Sequence, residues 1–572
     1  MNTDFIRKSL IVFFMILCLY LWYMQSIRGD YYLELSKMNR IRLVPLLGPR
    51  GNIYDRNGSL LVGSRLAFDC IVIPQEFEPD RKSFEEVSRL LSAPLEVLKD
   101  KIEEEAVAPF VAVAIKKDIG KEAAIAISEK SLDLPGLLIQ TRSVRYYPNK
   151  NICSHVVGYL GKISKDELYT FSDYGYKTMD YVGRGGLELF YDSYLKGEEG
   201  GIQTEVDSRG RELKQLGIKE PEKGKDINTT IDLELEKYVD ALLEGHRGAA
   251  IVMNSQTGEI LALVSKPDFD PNAFVSATDP SFIKSLLRRS DCPMIDRATS
   301  GAYPPGSIFK IVTASAGLEL KKIGLHEQLN CPGFYTLGNW RFDCWKDGGH
   351  GAQVITEGIR NSCNVFFYQL GRRVGVDGLA NYAMKYGLGR NTQVDLPYES
   401  AGMVPSRAWK MYNMRQGWFE GDTVNYAIGQ GYLLVTPLQI LRMANGVATE
   451  GTLVRPFLVK KIDSLEVNEP QRRRLDVSKD TFRTIKEGMR KAVEDPGGTA
   501  KAAGVDGLSI AGKTGTAQAG PKGAHAWFAG FCPVEKSKFS VVVFLEYGGK
   551  GGDKPAKIAS GIFAKLKELN YL

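Results

Sequence analysis

From Leu10 to Met24 the chain reads LIVFFMILCLYLWYM without a polar break, and Lys8 and Arg28 bracket 19 uncharged residues. At about 1.5 Å rise per residue, a helix of that length spans roughly the hydrocarbon core of a bilayer. The run predicts a transmembrane anchor within residues 1–28. A cleaved signal peptide is the other reading, but Gln25-Ser26-Ile27-Arg28 lacks a small-x-small cleavage site. Orientation does not follow from charge. Arg7 and Lys8 precede the span, while Arg28, Lys37, Arg40 and Arg42 follow it. Long domains translocate regardless of such flanks, so the chemistry of the rest of the chain has to fix the side.

The 572 residues leave room for two or three domains at about 100–200 residues each. A hydrophobic fraction of 44% suits folded, core-forming protein. The net charge of +6 is spread along the chain. With no long basic run and no interleaved aromatic and basic stripe, a nucleic-acid partner is not expected. The mild basic excess suits an anionic polymer or a membrane surface. Eight cysteines in a chain of this length are too few for a disulfide scaffold.

Residues 29–225 mix short strand-like runs, glycine turns such as Gly48-Pro49-Arg50-Gly51, and amphipathic helical runs such as Ser83 to Glu105. No internal repeat or low-complexity tract is present. The charged stretch Lys219 to Asp226, KEPEKGKD, reads as a linker. Residues 226–572 then read as one larger α/β domain. Gly248 to Lys266 predicts two strands around the turn Gln256-Thr257-Gly258. Ala524–Cys532 and Phe539–Tyr547 predict two more. The pattern between them is mainly helical.

The chemistry begins at Tyr303-Pro304-Pro305-Gly306-Ser307-Ile308-Phe309-Lys310. Pro-Pro-Gly stops the preceding structure, and Ser307 opens a helix continued by Ile308, Ile311, Val312 and Leu318. Residues three apart share a helix face, which sets the Lys310 amine beside the Ser307 hydroxyl. A serine is a poor nucleophile until a neighbour takes its proton, and a lysine does so when burial lowers its pKa. Alone the pattern is weak, because Ser193/Lys196 and Ser281/Lys284 match it too. The partners give it weight. Ser362-Cys363-Asn364 follows 55 residues after Ser307, and Lys513-Thr514-Gly515-Thr516 stands at the start of the terminal strands. S-x-x-K, S-x-N and K-T-G in that order are shared by penicillin-binding proteins and related β-lactamases. Ser307 is the expected nucleophile and Lys310 its base. Ser362 relays a proton to a departing amine, and Asn364 holds the substrate backbone. Lys513 faces a substrate carboxylate, with Thr514 and Gly515 beside the substrate, where glycine permits close approach. The Ser307 and Thr516 amides are the oxyanion donors. A histidine triad is the competing mechanism, but no Gly-x-Ser-x-Gly elbow accompanies the five histidines. His525 reads as a structural histidine beside the third motif.

With these motifs the chain resembles the class B penicillin-binding proteins over most of its length. Arg50-Gly51-Asn52-Ile53-Tyr54-Asp55-Arg56-Asn57-Gly58 looks like the opening of the family's non-catalytic pedestal, or dimerisation domain. Gly185-Gly186-Leu187-Glu188 and Asp207-Ser208-Arg209-Gly210-Arg211 look like its later landmarks. Gly429-Gln430-Gly431 and Val435-Thr436-Pro437-Leu438-Gln439 match the transpeptidase domain. No glycosyltransferase domain precedes the pedestal, as expected of a monofunctional protein. Cys344-Trp345 and Gly349-His350-Gly351 look like the penicillin-binding protein 2 branch, which serves elongation; the division-specific branch is the near alternative. The resemblance implies a transmembrane helix (1–28), a mixed α+β pedestal (29–225) and a penicillin-binding, β-lactamase-like α/β transpeptidase domain (226–572). It implies D,D-transpeptidation of peptidoglycan stem peptides outside the inner membrane, and β-lactams that trap Ser307. A SEDS-family glycosyltransferase and elongation-complex proteins are the implied partners. A hydrolytic β-lactamase, a β-lactam sensor and an idle scaffold are the readings of other kinds.

Cys331, Cys344, His350 and Cys363 are spaced by 13, 6 and 13 positions. Three thiolates and an imidazole suit a tetrahedral, structural zinc ion. Some members of the branch hold zinc at this place, with acidic residues at some of the positions that carry cysteine here. A Cys331–Cys344 disulfide with Cys363 as a buried thiol is the alternative.

Overall fold

The computed structural model describes residues 3–32, 41–46, 48–77, 81–106, 109, 111–130, 134–171, 176, 180–206, 212–275, 280–521 and 523–572. The landmark Asp207–Arg211 lies outside them. The apolar run forms the helix Thr3–Trp22 and continues in a wider five-residue turn, Tyr23–Ile27. Its apolar side chains are exposed, Phe14 at 69% and Leu19 at 63%. A helix that is apolar all round with no core against it needs another apolar medium, and Asp4–Ile27 is long and apolar enough to cross a membrane.

The rest divides into two compact units that are interleaved along the chain. One holds 1–50, 64–144 and 196–224; the other holds 51–63, 145–195 and 225–572. Of the stretch expected to form the pedestal, 29–225, residues 51–63 and 145–195 group with the larger unit. In the smaller unit, the part of the strand Leu60–Val72 from Phe68 onward pairs with Val113–Ile119. The helical run expected over Ser83–Glu105 is two helices, Arg81–Leu91 and Leu95–Glu105. The break falls at Ser92, with φ +48°, ahead of Pro94, whose ring disfavours helical backbone at Ala93. The expected linker is tied down as well. Glu198 and Glu222 exchange backbone hydrogen bonds, and Gly224 N donates to Pro49 O at 2.9 Å. Gly48 makes that approach possible, since a Cβ there would lie 2.4 Å from the Glu198 carbonyl.

The larger unit is built on an antiparallel five-stranded sheet, ordered Ile260–Lys266, Gly248–Asn254, Phe539–Leu545, Ala524–Cys532, Ala511–Gln518. Its strands are apolar at successive positions because both faces are covered. Ala249, Ile251 and Met253 join one core cluster, while Ala250 and Val252 join another, as the two-residue period of a strand requires. Helices Leu233–Leu242 and Lys554–Glu568 supply the second cluster, and Pro437–Ala448 supplies the first. Ala511–Gln518, which carries the third motif, is an edge strand.

Candidate active site

The turn that carries Ser307 is fixed from four sides. Tyr303 and Val435 exchange backbone hydrogen bonds at 2.9 Å, and Gly306 N donates to Gly429 O at 2.9 Å. The Trp527 indole donates to Pro304 O at 3.0 Å. Tyr303 Oη donates to Glu546 at 2.9 Å, and that carboxylate also pairs with buried Arg297. Gly306 has φ +54°, and a Cβ there would lie 2.5 Å from the Thr516 carbonyl, so only glycine lets the turn reach the edge strand. Residues Gly306–Phe309 form a 3-10 turn that runs into the helix Lys310–Glu319. A 3-10 turn eclipses positions i and i+3, so Ser307 and Lys310 share a face more closely than in the α-helix expected. The Ser307 hydroxyl makes no hydrogen bond among the described residues.

Lys310 is fully buried. Its Nζ donates to Ser362 O at 2.8 Å, Asn364 Oδ1 at 2.7 Å and Ser362 Oγ at 3.4 Å. All three acceptors are neutral, so burial dominates and pushes the amine down to about 7.

Ser362 occupies the junction of two helices, Ile355–Arg360 and Asn364–Lys385. Ser362 N donates to Ile359 O at 3.1 Å, and Cys363 N to Gly358 O at 3.0 Å. These two bonds are the Schellman arrangement, with Ser362 at the left-handed position that glycine usually fills. Its φ is +49°, which costs a side chain of this kind about 1 kcal/mol. Cys363 then caps the next helix, its Sγ accepting from Phe366 N at 3.4 Å.

Lys513 approaches from the edge strand. It is fully buried, and its Nζ donates to Ser362 Oγ at 2.8 Å and to Thr514 O at 3.0 Å. Burial and the nearby Lys310 hold the Lys513 amine well below the usual lysine range. The Ser362 hydroxyl therefore lies between two amines. The Gly515 Cβ direction is filled by the nucleophile turn, with Pro305 O at 2.7 Å. Glycine at this position is thus required by the contact between strand and turn. Thr514 is buried, Thr516 is exposed, and Thr516 Oγ1 accepts from Gly551 N at 3.2 Å.

The four metal-candidate residues converge. One ligand atom from each of Cys331, Cys344, His350 and Cys363 lies within 4.8 Å of every other. His350 Nδ1 is 3.4 Å from Cys344 Sγ and 3.7 Å from Cys331 Sγ. Zn–S and Zn–N bonds of about 2.3 and 2.0 Å at a tetrahedral angle put S and N roughly 3.5 Å apart, so the set fits zinc. No disulfide joins any of the eight cysteines. The neighbouring Cys363 lowers the Cys344 thiol, and Cys344 in turn raises that of Cys363.

Of the expected residues, Lys310, Ser362, Asn364 and Lys513 form one hydrogen-bonded cluster, and Ser307 and the K-T-G-T strand meet beside it. His525 is buried, with Nδ1 accepting from Tyr547 N at 3.2 Å, a structural role. The other two S-x-x-K pairs begin at exposed serines on short helices, Asp192–Leu195 and Pro280–Leu287. Trp345, which the sequence offers only as a branch landmark, donates its indole N–H to Asn361 O at 3.0 Å and Ser362 O at 3.1 Å. A lone tryptophan gives no signal of such a bond.

Two family models match the chain, the penicillin binding protein transpeptidase domain over residues 248–565 and the penicillin-binding protein dimerisation domain over 45–229. The peptidoglycan D,D-transpeptidase MrdA of Escherichia coli K12 is 31% identical over 583 residues, spanning 96% of this chain and 92% of its own length. The Acinetobacter baumannii protein of that name is 32% identical over 570 residues, spanning 95% of this chain and 84% of its own. Among solved structures, a complex between penicillin-binding protein PBP2 and MreC from Helicobacter pylori aligns with a TM-score of 0.83 and 30% identity. The alignment covers 93% of this chain and all of that one. A peptidoglycan synthase complex aligns with a TM-score of 0.76 and 30% identity, covering 98% of each chain.

Proposed function

This chain belongs to the class B penicillin-binding proteins, in the penicillin-binding protein 2 branch, and from that membership we propose that it is a peptidoglycan D,D-transpeptidase of cell elongation. The observation that carries the reading is the pair of buried lysines on one serine hydroxyl beside the Ser307 turn. Ser307 Oγ attacks the carbonyl of the penultimate D-Ala of a stem peptide, and neutral Lys310 takes its proton. The Ser307 and Thr516 amides receive the oxyanion, one such donor being worth about 3 kcal/mol. The proton passes through Ser362 to the departing D-Ala amine, leaving the acyl group on Ser307. An amine of a neighbouring stem attacks that ester, gives up a proton along the same route, and Ser307 regains its hydrogen. Asn364 holds Lys310 through its side-chain carbonyl. Lys513, Thr514 and Gly515 form the edge on which the substrate lies. β-Lactams acylate the same serine.

The substrate lies outside the cytoplasmic membrane, so the anchor within 1–28 is a single pass with the pedestal (29–225) and transpeptidase domain (226–572) on the extracytoplasmic side. A SEDS-family glycosyltransferase and an elongation scaffold are the partners; the MreC complex and the synthase complex support this. Cys331, Cys344, His350 and Cys363 would hold a structural zinc ion. With four protein ligands the metal has no open position for water and serves as a cross-link that braces the Ser362–Asn364 junction. Purified full-length protein given nascent peptidoglycan should release D-Ala and form cross-linked stems, and Ser307→Ala should do neither. Folded protein that leaves such substrate unchanged would overturn the reading.

A further inference from the structure

Residues Asp343, Cys344 and Trp345 touch the Ser362 junction at every position. Asn364 Nδ2 donates to Asp343 O at 3.5 Å, a long bond. The Cys344 and Cys363 sulfurs lie within 4.8 Å of each other. Trp345 Nε1 donates to Asn361 O and Ser362 O at 3.0 and 3.1 Å. The Ser362 carbonyl is the point where this strap meets the chemistry, because Lys310 Nζ donates to the same oxygen at 2.8 Å. A carbonyl oxygen has two lone pairs, and here an indole and the amine of Lys310 occupy both. The peptide so held follows a serine at φ +49°, which a side chain keeps only when its surroundings over-determine it. The Schellman bonds fix the amide side of Ser362, and Trp345 and Lys310 fix its carbonyl side.

We infer that Trp345 is a positioning residue for acylation: its indole N–H holds the Ser362 carbonyl where Lys310 needs it, and through it the Ser362 hydroxyl between Lys310 and Lys513. This rests on the transpeptidase reading. Trp345 is 56% exposed, and its ring meets the His350 ring edge-on at 5.2 Å, so the first variant of the test retains an aromatic ring.

The test is β-lactam acylation of full-length protein, resolved into non-covalent affinity and acylation rate constant. It compares the unsubstituted chain with Trp345→Phe, which keeps a ring but loses the donor, and Trp345→His, which restores a ring N–H. Trp345→Phe should lower the rate constant about tenfold, leave affinity within about twofold and leave the melting temperature within about 2 °C. Trp345→His should recover part of the rate. An unchanged rate in Trp345→Phe overturns the inference, as does a loss confined to affinity or one that tracks a loss of folding. Acylation of the unsubstituted protein reads the functional assignment by itself. A crystal structure of Trp345→Phe reads the positioning without chemistry. Ser362 still at positive φ with its carbonyl still on Lys310 would overturn the inference even if no β-lactam reacted.

Discussion

Lys310 has no exposed surface and no carboxylate partner among its hydrogen bonds. Because burial brings its pKa to about 7, the side chain is protonated and unable to accept the Ser307 proton in acid, and becomes a base as pH rises. Acylation of Ser307 should climb with pH through a limb near 7, and Lys310→Arg, which stays charged, should lower it by roughly 10²–10⁴-fold. A flat profile across that range would remove Lys310 as base. Stability runs the same way. The folded protein binds fewer protons than the unfolded chain between about 7 and the usual lysine value, so this group's cost is full below about 7 and shrinks as pH rises above it. That Ser307 and Lys310 sit on one turn was legible, because three-residue spacing on a helix places them on one face. The environment of Lys513 was not. The motif gave it a substrate carboxylate to meet, whereas the fold also sets its amine on Ser362 Oγ, a contact between residues 151 positions apart that no local pattern encodes.

Short elements hold this site, and each is defined by a bond that crosses the sequence. The strands at 248–266 and 524–547 could be read directly because both faces of the sheet are buried and their apolar runs are continuous. The junction at Ser362 could not, since a left-handed serine at a Schellman position looks like any other S-x-N in a sequence. The cysteine cluster was legible as a set of four donors, though its closure to within 4.8 Å depends on the residues folding back between 331 and 363. Since Cys363 sits inside the junction, removing zinc with a chelator should lower both the melting temperature and the acylation rate, with about one zinc released per chain. Unchanged values after complete chelation would show that the thiols need no metal.

For the whole molecule, the interleaving of the two units matters most. Ile53, Val62, Val156, Leu187 and Leu195 are buried in the same core cluster as Ile308, Phe309 and Val312. Each such side chain is worth about 1.5–3 kcal/mol when buried. Backbone and side-chain bonds reinforce them: Asn52 N to Asp226 Oδ1 at 2.6 Å and Tyr191 Oη to Asp395 Oδ2 at 3.0 Å. A fragment of residues 226–572 should therefore melt well below a fragment of 29–572, as scanning calorimetry would show; equal melting would mean that the two inserted segments add nothing. The return of these two segments to a distant core was not legible, because composition marks where the chain is polar and not which segments pack together.

The most direct test of the account is intact mass after incubation with a β-lactam, followed by peptide mapping. One stable adduct on Ser307, absent in Ser307→Ala, is the predicted result. No adduct from several β-lactams on folded protein, or an adduct at Ser193 or Ser281, would contradict it.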